Sequence, residues 1–128
     1  MQRAGLTPSD IDYINAHGTS TPLGDPADTT AIKAVFGGIE TAPPVSATKS
    51  ATGHLMGAGG ITEVIACIQA IREGILPPTI NYVTPDPACD LDYVPNQARK
   101  AEVRYAMSNS LGFGGQNSSI IVSAYEAR

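Results

Sequence analysis

Residues 57–73, "GAGGITEVIACIQAIRE", constrain the fold of this chain more than any other stretch. Ile61, Val64, Ile65, Ile68 and Ile71 recur at helical spacing and form one apolar stripe. Opposite them lie Ala58, Ala66, Cys67 and Ala70, small residues that let a neighbouring element come close. A helix apolar on both sides must be covered on both sides. The rest of the 128-residue pattern is short of elements to supply both covers. The expectation is therefore a helix left partly uncovered, with self-association or marginal stability in an isolated monomer. Glu63 falls on the small-residue face, where a buried carboxylate needs a cation. Lys49 is the nearest cation in sequence, which predicts a Lys49–Glu63 pair. Thr62, Glu63, Gln69 and Arg72 make the stretch too polar for a bilayer span.

The rest of the chain alternates strands and helices before a closing hairpin. "MQRAGL" reads as the last turn of a helix stopped at Gly5. Thr7-Pro8-Ser9-Asp10 fits a short N-capped turn. "IDYINA", residues 11–16, alternates apolar and polar residues as a strand does. A helix follows, with Asp25 as its N-cap, Pro26 at its first position, Asp28 in its first turn and Gly37-Gly38 at its end. A short strand is predicted near 45–48, and the Pro-rich segment 76–98 is mostly loop. Strands near 103–109 and 118–125 flank the turn "GFGGQ". This order predicts an α/β layered fold with a mixed sheet covered by helices.

Composition narrows the function classes. Hydrophobic residues make up 42% and charged residues 16%, as in an ordinary folded domain. The net charge of −4 and the scattered basic residues argue against a nucleic-acid partner. Cys67 and Cys89 lack C-x-x-C spacing, so neither a zinc nor a redox pair is expected. With no signal-peptide pattern at residue 1, the expected location is the cytoplasm, with reduced thiols.

His17 and His54 are the only histidines, and each adjoins a glycine. His17 is predicted at a strand end and His54 at a helix start, where α/β folds expose reactive side chains. An imidazole near a helix N-terminus is biased toward its neutral form. Spacing alone leaves two readings level: a pair of reactive imidazoles, or two loop histidines without a task. "GAGG" lacks the G-x-G-x-x-G spacing and a following lysine, so a nucleotide site ranks third. "LGFGG" is either a hairpin turn around a buried Phe113 or a set of backbone N–H groups aimed at an oxyanion. Thr19 and Thr21 flank the His17 loop and suit a polar ligand arm, or simple turn chemistry.

Three segments, "NAHGTSTPLGD", "SATKSATGHLMGAGG" and "SNSLGFGGQNSS", resemble in order and spacing the C-terminal half of β-ketoacyl-[acyl carrier protein] synthases. "LPPTINYVTPDPACDLDYVPNQAR" is similar to the same family, so the resemblance covers essentially residues 1–128 as one C-terminal domain. It implies half of a thiolase-like fold with a buried central helix, usually dimerised. It also implies a decarboxylating Claisen condensation of malonyl-carrier protein with an acyl thioester, in fatty acid or polyketide synthesis. By the same resemblance, His17 and His54 donate hydrogen bonds to the malonyl thioester oxygen, and Lys49 supports His54 with Glu63 as its partner. Phe113 supplies an oxyanion-hole N–H and gates the acyl pocket, and Thr19 and Thr21 bind the phosphopantetheine arm. Asn15, Glu63, Ser108 and Asn109 match a monovalent cation site of some members. No cofactor is implied beyond the pantetheine of the carrier protein.

The family's nucleophilic cysteine matches no position here. Cys67 lies mid-helix among apolar residues, and Cys89 lies in the Pro-rich segment. The expectation is a half-enzyme whose partners are acyl carrier protein, a cysteine-bearing N-terminal half and a second copy of itself. The alternative is a non-catalytic fragment or scaffold module that dimerises or binds carrier protein.

Overall fold

The computed structural model describes residues 1–125. Its centre is a four-stranded sheet in the order β2-β1-β5-β6. Strand β1 is Tyr13–Asn15, β2 is Val45–Ser46, β5 is Tyr105–Leu111 and β6 is Asn117–Ser123. β1 runs parallel to β2, with Ile14 opposite Val45, and parallel to β5, with Asn15 opposite Ser108. β5 and β6 form the antiparallel hairpin, with Ser108 opposite Ile120. The sheet is therefore mixed, as the strand and helix order predicts.

One helix covers each face. Helix α1, Gly24–Phe36, presents Ile32 and Phe36 to Ile11, Ile14, Val45 and Met107. Helix α3, Gly59–Glu73, presents Cys67 and Ala70 to Tyr13 and Ala106 on the other face. The period-two alternation of β1 divides these layers, with Ile14 toward α1 and Tyr13 toward α3. The small face of α3 is the buried one, because small side chains let the helix axis approach the strands. The isoleucine stripe faces outward: Ile61, Ile65 and Ile68 are 60%, 50% and 40% exposed. Among the described residues the central helix is thus buried on one side only.

Several local expectations need correction. Asp25 does not cap its own helix. The chain turns earlier, at Thr21-Pro22: Thr21 Oγ1 accepts the Gly24 N–H at 3.1 Å, and the Thr21 carbonyl accepts the Asp25 N–H at 3.3 Å. A threonine before a proline carries the same cap signature as Asp25-Pro26, and it comes first in the chain. The Pro-rich segment 76–98 is mostly loop as expected, but a pair of short strands brackets it unforeseen: β3, Ile75–Leu76, runs antiparallel to β4, Arg99–Lys100. Two-residue strands leave no periodicity to read. Phe113 is not buried in its turn but 94% exposed. Near the start, Gln2–Ala4 form a single tight turn ended by Gly5 at φ +66, and Asp10 Oδ2 accepts the Thr7 N–H at 2.7 Å in the expected capped turn. Among the described residues, no helix is long and apolar enough to cross a membrane.

Candidate functional site

The carboxyl ends of the three parallel strands meet at one edge of the sheet, where open α/β folds place their ligands. His17 follows β1, Lys49 follows β2 at the start of the one-turn helix α2 (Lys49–Thr52), and Phe113 follows β5. The His17-Gly18 turn packs so tightly on Ala47 that a Cβ at Gly18 would overlap the Ala47 side chain. Gly18 also sits at φ +41, so a glycine is required there on two counts. Asn15 and Thr48, both buried, lock β1 to the chain after β2. Asn15 Nδ2 donates to Thr48 Oγ1 at 3.0 Å, and Thr48 Oγ1 donates to Asn15 Oδ1 at 3.2 Å.

Lys49 organises the site. Its side chain is 6% exposed, and its ammonium pairs with Glu63 Oε1 as predicted. The same Nζ donates to the His17 carbonyl oxygen at 2.6 Å and stands 3.4 Å from His17 Nδ1. An ammonium has three donors and no lone pair, so Nδ1 is the acceptor and the His17 proton sits on Nε2. The His17 imidazole is held below its ordinary value of 6.5, by burial first, then by the Lys49 charge and by His54. His17 is thereby kept neutral near pH 7. The resemblance makes Lys49 a support for His54; here its ammonium contacts His17.

His54 does not begin the long helix. It follows Gly53, the end of α2, and is exposed. Its Nδ1 accepts the Met56 N–H at 3.2 Å, which leaves Nε2 as the protonated nitrogen. The two imidazole rings stand edge to face, 5.7 Å between centroids at 87°. Each ring therefore has an Nε2–H donor not spent on the hydrogen bonds above.

A cleft of about 640 Å³ opens beside the pair. Thr19, Thr21, Lys49 and His54 line it, as do Tyr82 and Cys89 from the Pro-rich segment. His17 is flanked by the lining residues Ala16 and Gly18. Phe113 is not part of this lining; it projects from the β5–β6 turn. Cys67 is buried against the sheet, with its thiol pushed up to about 12 by burial, so it is a core residue without nucleophilic character. Of the four residues matched to a cation site, Asn15, Glu63 and Ser108 share the α3 side of the sheet. Asn109 lies on the opposite side, where its Oδ1 accepts from Ser119 at 2.7 Å. Glu63 Oε2 is buried with no hydrogen-bond partner among the described residues.

One residue of this neighbourhood escapes a sequence reading. Asp28, 5% exposed, accepts the Gly18 N–H at 3.3 Å and anchors the His17 turn onto α1. Burial raises its carboxyl above the usual range. The signal was its place on the inward face of α1, at i, i+4 and i+8 with Ile32 and Phe36, rather than its place in the first turn.

A family profile described as "Beta-ketoacyl synthase, C-terminal domain" matches residues 1–83. The chain belongs to the β-ketoacyl synthase family. It is 52% identical, over 127 residues, to the 3-oxoacyl-[acyl-carrier-protein] synthase 2 of Staphylococcus aureus strain COL, covering 99% of this chain and 31% of that protein. The chain thus spans about a third of the length of the curated relatives it matches. Among solved structures, the ishigamide ketosynthase/chain length factor superposes with a TM-score of 0.94 at 43% identity, covering 98% of this chain and 30% of that one. A type II PKS acyl-carrier protein in complex with its ketosynthase, bound to the hexaketide, superposes with a TM-score of 0.92 at 41% identity, covering 98% and 31%. The α/β layers described above are thus those of the β-ketoacyl synthase fold.

Proposed function

We propose that this chain, residues 1–128 as one C-terminal domain, supplies the histidine–lysine part of a decarboxylating condensation site. Its substrates are malonyl and acyl thioesters on the pantetheine of an acyl carrier protein. The observation that carries this reading is the pair of imidazoles, each with Nδ1 occupied as an acceptor and Nε2 left as a donor. Loss of carbon dioxide from a malonyl thioester leaves its electron pair as an enolate, with negative charge on the thioester oxygen. Two N–H donors aimed at that oxygen stabilise the charge as it develops, and one such donor is typically worth about a hundred- to a thousandfold in rate. The enolate carbon then attacks the acyl thioester, forming the new carbon–carbon bond and expelling the thiolate that carried the acyl group.

That thiolate comes from a cysteine-bearing half that pairs with this chain. The Phe113 N–H, after Gly112 at the carboxyl end of β5, completes the oxyanion hole once that half is present. The exposed Phe113 ring suits a gate that closes against the same half. Thr19 and Thr21 receive the pantetheine arm in the cleft. The unpartnered Glu63 Oε2, with Asn15 and Ser108 on the same side of the sheet, fits a monovalent cation. The site works in the cytoplasm and uses no cofactor beyond the carrier's pantetheine.

Malonyl-carrier-protein decarboxylation by the chain mixed with its cysteine-bearing half tests this reading. Turnover is expected, with His17→Ala and His54→Ala each lowering it about a hundredfold or more. Turnover that survives both substitutions overturns it. A non-catalytic scaffold is the second reading, favoured by the burial of Cys67, and carrier-protein binding without turnover by the mixture would select it.

A further inference from the structure

The turn between β1 and α1 is held by more than helix capping requires. Ser20 sits at φ +61, a left-handed conformation that a serine keeps only when its surroundings hold it. Asp25 holds it: Oδ1 accepts the Ser20 N–H at 3.0 Å across five residues. The kink brings the flanking side chains together, with Thr19 Oγ1 and Thr21 Oγ1 3.4 Å apart, both lining the cleft. Gly24 guards the pair from behind. A Cβ there would overlap Thr21 Oγ1 and stand 3.6 Å from Thr19 Oγ1.

We propose that Asp25 is a positioning residue for the substrate arm, which locks Ser20 so that the two threonine hydroxyls form one preorganised site. The inference rests on the condensing-enzyme reading above. Two hydroxyls fixed side by side donate to amide carbonyls and accept from amide N–H groups, and fixing them beforehand lowers the entropy lost on binding. Asp25 and the buried Asp28 both border the cleft here, so negative charge is disfavoured at this point. The seat therefore takes the neutral amide portion of a pantetheine arm and not its phosphate.

The test measures steady-state kinetics with malonyl-pantetheine and with malonyl-carrier protein, using the synthase assembled from this chain and its cysteine-bearing half. Asp25→Ala raises KM about tenfold for both substrates, with kcat within about twofold, because the hydroxyl pair binds ground and transition states alike. Asp25→Asn keeps an acceptor for the Ser20 N–H and restores KM to within about threefold of the unaltered protein. Gly24→Ala favours the helix yet displaces Thr21 Oγ1, so it raises KM without touching the carboxylate. Unchanged KM in both Asp25→Ala and Gly24→Ala, while the unaltered synthase turns over, overturns this inference alone. An unaltered synthase that turns over neither substrate overturns the condensing-enzyme reading and this inference together.

Discussion

Lys49 carries a full charge into a place that water barely reaches, and three acceptors make that tolerable: Glu63, the His17 carbonyl and His17 Nδ1. Removing one member of such a buried pair strands the other, so Lys49→Met alone should cost about 3–5 kcal/mol in chemical unfolding. Lys49→Met combined with Glu63→Gln removes both charges and should restore most of that loss. The double variant also reports on His17. Its imidazole is held below 6.5 by burial and then by Lys49, so loss of the ammonium must move it upward, as read from the imidazole carbon shift in an NMR titration. The sign for stability follows from the same shift. Between the lowered folded value and 6.5, the unfolded chain binds the extra proton. The contribution of His17 to stability is therefore complete above 6.5 and is lost as the pH falls through that window. A His17 titration that stays in place in the double variant would rule out Lys49 as its cause.

At the scale of elements, α3 has two apolar faces that do different work. Cys67 and Ala70 bring the helix against Tyr13 and Ala106, and Glu63 at the start of that face meets Lys49. The opposite face leaves Ile61, Ile65 and Ile68 in solvent, with Leu55 and Met56 exposed at the same end of the helix. An exposed apolar row of this kind marks an interface. The chain alone should self-associate through it, and Ile61→Lys with Ile65→Lys should shift the sedimentation profile toward monomer. On the proposed function, the same pair of substitutions should also prevent assembly with the cysteine-bearing half. Equal association in both forms would place the contact elsewhere, with Phe113 and β6 the next surfaces to examine.

For the whole molecule, the outward face of α3 leaves apolar surface that this chain does not bury against itself, and the proposed function assigns its cover to the cysteine-bearing half. A partner that binds only the folded form stabilises it by mass action, by about 2.7 kcal/mol at a hundredfold excess over Kd. Thermal melting of the chain should therefore rise with the concentration of added cysteine-bearing half. A melting temperature indifferent to that partner would show a self-sufficient domain.

What the sequence determined by itself was local or chemical. The hairpin, the capped turn at Thr7, the extent of α3 and the Lys49–Glu63 pair were all legible, because side-chain period, capping chemistry and the cost of a buried charge act within a few residues or force a single partner. What only the tertiary structure decided was where separate segments meet. Asp25 reached back to Ser20 instead of capping α1, Asp28 took hold of the Gly18 amide, and Lys49 settled on His17 as well as on Glu63. Which face of α3 packs inward was also undecided until then, since both are apolar and the choice depends on how closely a helix can approach the sheet. These are contacts between strand ends and helix starts distant in sequence, and no periodicity within one segment encodes the distance between two.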